Sequence, residues 1–182
     1  REQSRLLTGL IAVFLLGYAG LAFKLFQIGL RFAGSFPGLG PILIERTGLS
    51  RTLVDTVGRT AEASGLNITH EIQAVDTSFT MDEQINIYRI VQEALSNILK
   101  YAAAARVHVE MRLEDGAVRL TIRDDGRGFD MKADRALHGL GLQSMRERAE
   151  ILGGTIRIWS AAGEGTRIEV RIPRGDALEA GA

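Results

Sequence analysis

The stretch Asp82–Leu99, DEQINIYRIVQEALSNIL, constrains this chain most, because it asks for one helix with two different faces. Thr80 with Glu83 at the third position after it is a capping-box start. Ile85, Tyr88, Val91, Leu95 and Leu99 recur at helical spacing, with Ile87, Ile90, Ala94 and Ile98 beside them, and form a broad apolar core face. Glu93 and Asn97 are four apart and share one edge, with Lys100 about one turn beyond. A carboxylate, an amide oxygen and an ammonium on one edge can hold a hydrated Mg²⁺ and the phosphates it bridges. The same spacing fits a solvated helix edge, and the helix alone does not choose between the two.

The downstream sequence supplies more. Val118–Arg123 alternates apolar and polar like a half-buried strand and runs into Asp124-Asp125-Gly126-Arg127-Gly128-Phe129. Glycines at 126 and 128 allow positive φ and close backbone approach to a ligand. Asp124, where the strand stops, can accept a hydrogen bond from an exocyclic amine; its ordinary alternative is a turn-forming Asp. A second glycine run, His138-Gly139-Leu140-Gly141-Leu142, reads as a turn opening a helix from Gln143 to Leu152. A helix opening of this kind leaves free N–H groups and a positive dipole end for phosphate. Gly163-Glu164-Gly165-Thr166 is a tight turn between two short strands and offers a hydroxyl.

E-x-x-x-N on a helix, D-x-G-x-G after a strand, G-x-G-L before a helix and G-T in a hairpin together resemble the boxes of the GHKL ATPase superfamily. YRIVQEALSNILKYA and HGLGLQSMRERAEILGG look like sensor histidine kinases of the nitrate-response subfamily, whose regulators are of the helix-turn-helix LuxR type. The resemblance covers roughly Leu49 to Pro173. It implies an α/β fold, a two-layer sandwich with a mixed, mainly antiparallel sheet and helices on one face, holding ATP and Mg²⁺. By the same resemblance Asn97 ligates Mg²⁺ and Glu93 orients Mg-bound water or assists proton movement. Lys100 sits on phosphate, Asp124 on the adenine amine, and Thr166 supports the adenine pocket. Gly126, Gly128, Gly139, Gly141 and Leu142 line the nucleotide. The implied activity is autophosphorylation on histidine followed by transfer to a response-regulator aspartate, in a homodimer. One departure stands out: Tyr101 follows Lys100 where the family usually has histidine.

Net charge is zero, so nothing argues for direct nucleic-acid binding through a basic surface. No cysteine is present, which excludes disulfides and thiolate metal sites. Leu6–Phe23 is free of charge, flanked by Arg5 and Lys24 and continued by apolar residues to Leu30. This segment, within residues 1–31, reads as a membrane helix or a dimerisation helix, and the resemblance then implies a bacterial inner-membrane protein with a cytoplasmic catalytic domain. Overlaying the phosphoacceptor pattern R-x-x-x-x-L-H-D on Arg5–Leu10 puts Ile11 and Ala12 where His and Asp belong. Neither can form or assist a phosphoramidate. Two other readings follow: an ATP-binding regulatory module without kinase activity, or another GHKL ATPase or serine kinase.

Residues 32–48, rich in Gly, Ser and Pro at their start, read as a linker, 49–174 as the catalytic domain and 175–182 as a disordered tail. Within the domain the patterns predict a helix over Ser50–Ala63, a strand over Leu66–Ile72, and a hairpin of Arg106–Leu113 with the strand ending at Asp124. A second hairpin joins Thr155–Ser160 to Thr166–Ile172, with Trp159 on its outer side. Met131–Leu137 reads as a flexible loop, the position of the family's lid.

Overall fold

The computed structural model describes residues 39–130 and 135–174, with side chains at 39 and 135–139 left out. The hydrophobic segment 6–30, the overlay on residues 5–12, the first part of the linker and the tail 175–182 lie outside the described residues. Among the described residues no helix is long and apolar enough to cross a membrane.

Helix α1, Leu39–Thr47, and helix α2, Leu49–Ser64, lead into strand β1, Asn67–Ile72. Helix α3, Met81–Asn97, continues as a π-turn over Ile98–Ala102. Strands β2, Arg106–Glu114, and β3, Ala117–Asp124, form a hairpin. Helix α4, Arg135–Ile151, precedes strands β4, Thr155–Ala161, and β5, Gly165–Pro173. The five strands make one sheet in the order β1-β2-β3-β5-β4. Only β1 and β2 run parallel, as their connection through α3 requires; the other pairs are antiparallel.

The strands alternate as their sequences demand. Val107, Val109 and Met111 on β2, Leu120 and Ile122 on β3, and Val170 and Ile172 on β5 are buried. They join Ile87, Ile90, Val91 and Ala94 of α3 and Met145 and Ala149 of α4 in one core. The arginines at 112, 123, 157, 167 and 171 occupy the alternate positions and are exposed. Period-two strands against an amphipathic helix thus give the expected two layers.

Helix α3 begins as its capping box predicts: the Thr80 N–H donates to Glu83 Oε2 at 2.7 Å and the Glu83 N–H to Thr80 Oγ1 at 3.4 Å. Arg174 closes over this end, donating to Glu83 Oε1 at 2.9 Å with its guanidinium 4.1 Å from the Phe79 ring centroid.

Two expectations change. Residues 39–47, read as part of a linker, are helical and packed: Ile44 is buried, and a Cβ at Gly40 would meet the Tyr88 ring of α3 at 2.4 Å. The packed unit therefore begins before Leu49. Its α1–α2 corner is fixed by Asp76, whose Oδ1 accepts the Ser50 N–H at 2.9 Å and so caps α2 from a distant loop. The second change concerns the glycine run at 138–142, which is not a turn ahead of a helix. Helix α4 already starts at Arg135, so Gly139 and Gly141 lie in its first turns, and the expected loop over 131–137 gives way to helix from Arg135 onward. Glycine costs about 1 kcal/mol in a helix interior. At Gly141 the cost is offset by close packing against α3, because a Cβ there would meet Glu93 Oε1 at 2.2 Å.

Candidate functional site

Helix α3, its π-turn, the end of β3 and the β4–β5 turn enclose a cavity of about 450 Å³. Asn97, Asp124, Gly128, Leu142 and Thr166, all predicted from the sequence, line it. Ala94 and Ile98 of α3 and Ile122 and Ile168 of the sheet give it an apolar wall. Such a mixture, mostly apolar with a few convergent polar groups, is how small-molecule sites are built.

Asp124 is the polar centre. It is 4% exposed and stands opposite Thr166 in the β3–β5 ladder. Its Oδ1 accepts the Gly126 N–H at 2.9 Å, and Thr166 faces it across the ladder. Burial nevertheless pushes its carboxyl above the ordinary value, with the neighbouring Asp125 adding to the rise and the Gly126 bond opposing it. A buried carboxylate pre-satisfied on one side and open to a cavity on the other is an acceptor waiting for a donor.

The two glycines of this loop serve the chain itself as well as the cavity. A Cβ at Gly126 would lie 2.4 Å from the Ala102 carbonyl oxygen, and one at Gly128, where φ is +59°, only 2.0 Å from that of Ala161. The loop is therefore pressed between the π-turn and the β4–β5 turn. The Arg127 N–H donates to Ala102 O at 2.7 Å, and the Gly163 N–H donates to Arg127 O at 2.6 Å. Asp125 is a clamp: it accepts the Ala105 and Arg106 N–H groups at 2.9 and 2.8 Å and the Arg106 Nε–H at 2.9 Å. Those donors hold its carboxyl down at about 2.

The other predicted residues sit around this centre. The Glu93 and Asn97 side chains converge at Gly141, whose absent Cβ would lie 2.2 Å from Glu93 Oε1 and 3.2 Å from Asn97 Nδ2. Glu93 itself is not among the cavity-lining residues. Lys100 is exposed on the π-turn and does not line the cavity either, because the wider turn alters the register beyond Asn97. Gly139 lies within α4, where its N–H belongs to the helix's own ladder rather than to an open turn. Tyr101, Arg127, Phe129 and Asp130 line the cavity although they were not singled out as site residues. Ser160 also escaped the sequence reading. A serine at the end of a strand reads as ordinary polar punctuation, yet the alternation of β4 puts it on the same side as Ile156 and Ile158, opposite Thr166. Its hydroxyl accepts the Phe129 N–H at 2.9 Å and lies 3.2 Å from Thr166 Oγ1.

A helix that offers Asn97 and a sheet end that offers Asp124 stand on either side of one cavity in a two-layer α/β sandwich. Residues 82–176 match the family of histidine kinase-, DNA gyrase B- and HSP90-like ATPases. The chain belongs to that family. It is 36% identical over 135 residues to the sensor histidine kinase LiaS of Bacillus subtilis, a match covering 74% of this chain and 37% of LiaS. It is 34% identical over 135 residues to the sensor protein VraS of Staphylococcus aureus, covering 74% of this chain and 38% of VraS. The chain thus spans well under half the length of these curated relatives. Among solved structures, it is similar to the histidine kinase domain of the blue-light activated histidine kinase of Erythrobacter litoralis EL346, with TM-score 0.61 and 25% identity over 69% of this chain and 64% of that one.

Proposed function

We propose that this chain carries the ATP-binding catalytic region of a two-component sensor histidine kinase. The observation that carries the reading is the single cavity shared by Asn97 and Asp124, in a chain whose curated relatives are sensor kinases. Asp124 accepts from the exocyclic amine of adenine, with Thr166 beside it, while Ile98, Ile122 and Ile168 cover the base with apolar surface. Asn97 would hold Mg²⁺ through its amide oxygen, and Glu93, which approaches the same point of Gly141, would orient water there or take up a proton. These oxygen donors suit Mg²⁺, which takes few protein ligands and completes its shell with phosphate and water. Among the described residues no cluster of three or more acidic or histidine side chains forms a protein-only cage. Lys100, exposed on the π-turn, has a flexible side chain long enough to reach the phosphates from outside the cavity lining. Gly128 and Leu142 form part of the wall, and the close packing at Gly126 and Gly141 brings its neighbouring elements together.

The chemistry is phosphoryl transfer: the bond from the γ-phosphorus to the bridging oxygen breaks, ADP leaves, and a histidine ring nitrogen forms the new N–P bond. The phosphoryl group then passes to an aspartate of a response regulator, of the helix-turn-helix output type. The protein's part is positioning and charge neutralisation. In this reading the chain works as a homodimer, anchored at a bacterial inner membrane through residues 6–30 with the catalytic domain in the cytoplasm. Incubating the full chain with γ-labelled ATP and a separately supplied histidine-bearing dimerisation domain tests it. Label on the histidine supports the kinase; nucleotide binding with no label on any such domain replaces it by an ATP-binding regulatory module, which Ile11 and Ala12 in the overlay would favour.

A further inference from the structure

One face of the sheet is packed against the helices, and the other is bare, which a mainly antiparallel sheet tolerates. The charges on the bare face are not those of an ordinary solvated surface. On β3, β5 and β4 its outward positions hold Arg119, Arg123, Arg157, Arg167 and Arg171 against a single acid, Glu169. Arg123 stands directly opposite Arg167 in the β3–β5 ladder, and Arg119 opposite Arg171. Like charges so placed destabilise a sheet unless something neutralises them. Glu169 takes Arg167 at 2.7 Å and Glu114 takes Arg119. Arg123, Arg157 and Arg171 are exposed and make no ion pair among the described residues. Trp159 lies opposite Arg167 on β4, with the guanidinium 5.3 Å from its ring centroid, and is still 45% exposed.

We propose that this face is a docking surface for an anionic lipid bilayer. Guanidinium groups bind phosphate oxygens in pairs and need no pocket to do so. Neighbouring strands lie about 4.8 Å apart and alternate residues of one strand about 7 Å apart, so the charges form a two-dimensional array over three strands. A planar layer of headgroups meets the whole array at once, whereas a linear polyanion such as a nucleic-acid strand follows a single row. Trp159, an amphipathic ring half exposed among cations, is suited to headgroup level. The bilayer itself comes from the membrane-anchored reading of residues 6–30, on which the proposal rests: a domain held beside its membrane needs only weak attraction to dock.

Trp159 is the chain's single tryptophan, so its fluorescence reports on this face alone. The full chain is placed in nanodiscs of neutral phosphatidylcholine and in nanodiscs of equal parts phosphatidylcholine and phosphatidylglycerol. In the anionic discs Trp159 emission is expected to shift to the blue and to be shielded from acrylamide. Both effects should vanish at about 1 M salt, where the screening length falls to about 3 Å. A combined Arg123→Gln, Arg157→Gln, Arg171→Gln variant should lose them too, since about fivefold per arginine makes docking roughly a hundredfold weaker. Arg46→Gln, Arg51→Gln, Arg59→Gln, at exposed positions of α1 and α2, changes net charge equally and should behave as the parent. Equal emission in neutral and anionic discs, or equal loss in both triple variants, overturns the proposal. An oligonucleotide or polyglutamate that shields Trp159 as well as the anionic discs do overturns it in favour of a polyanionic partner. Failure of the chain to co-elute with neutral discs refutes the anchoring of residues 6–30 instead, and docking is then read from anionic discs added to the free chain.

Discussion

Three glycine-to-alanine substitutions should give three different stability changes, because the structure assigns each glycine a different job. At Gly128, φ is +59° and a Cβ would lie 2.0 Å from Ala161 O and 2.9 Å from Gly165 O. Left-handed backbone with a side chain costs about 1–2 kcal/mol. The overlap is with backbone atoms of the β4–β5 turn, which cannot swing aside like a side chain, and forced overpacking adds about 1–3 kcal/mol. Gly128→Ala should therefore lose roughly 2–5 kcal/mol, a fall in Tm of about 8–20 °C for a domain of this size. At Gly163 φ is +83° but nothing lies within 4 Å of a Cβ, so only the conformational cost applies, about 1–2 kcal/mol. Gly58 sits inside α2 with nothing within 4 Å and no positive φ. There alanine should stabilise by about 0.5–1 kcal/mol through helix propensity. Thermal unfolding of the three variants followed by circular dichroism measures the order Gly58→Ala above the parent, then Gly163→Ala, then Gly128→Ala. If Gly128→Ala unfolds no earlier than Gly163→Ala, the close approach of this loop to the β4–β5 turn is wrong.

Further outcomes follow from single contacts. Arg174→Ala removes the ion pair to Glu83 and the stacking on Phe79, and should cost about 1–2 kcal/mol by urea denaturation; an unchanged midpoint would show that Arg174 does not hold the start of α3. Asp125, held at about 2 against its ordinary 3.8, contributes stability that is fully present above pH 3.8 and disappears as pH falls toward 2. The stability gap between the parent and Asp125→Asn should therefore be constant near neutrality and close across that acid window; a gap that persists at pH 2 would mean the clamp acts through something other than charge. Ligand binding should respond to acid at a higher pH. Since Asp124 titrates above the ordinary carboxylate value, adenine affinity should begin to fall before the general acid unfolding does, which titration at stepped pH would reveal.

Much of this architecture could be read from residues. The Thr80–Glu83 box and the apolar stripe of α3 act locally, and the strict alternation in β2 and β3 allows only one buried face. Asp124, Asn97 and Thr166 were visible because their motifs mark chain positions where polar groups interrupt apolar patterns. What was not legible depends on contacts between distant segments. Leu39–Thr47 looked like linker because its helix packs on Tyr88 and the helix after it is capped remotely by Asp76, neither of which leaves a local signal. The glycines at 139 and 141 looked like a turn because their composition says so, whereas the approach of α4 to Glu93 keeps the segment helical. The π-turn after Asn97 leaves Lys100 off the cavity lining and puts Tyr101 on it, a change of register that no propensity encodes. Ser160 meets its partners Phe129 and Thr166 from 31 and 6 residues away.

The most direct measurement is calorimetric titration of the full chain with a non-hydrolysable ATP analogue, with and without Mg²⁺, alongside Asp124→Ala and Asn97→Ala. Binding in the parent is predicted to be lost in Asp124→Ala under both conditions, and in Asn97→Ala to lose its dependence on Mg²⁺. Binding that is absent in the parent, or that survives unchanged in Asp124→Ala, would contradict the placement of the nucleotide in this cavity.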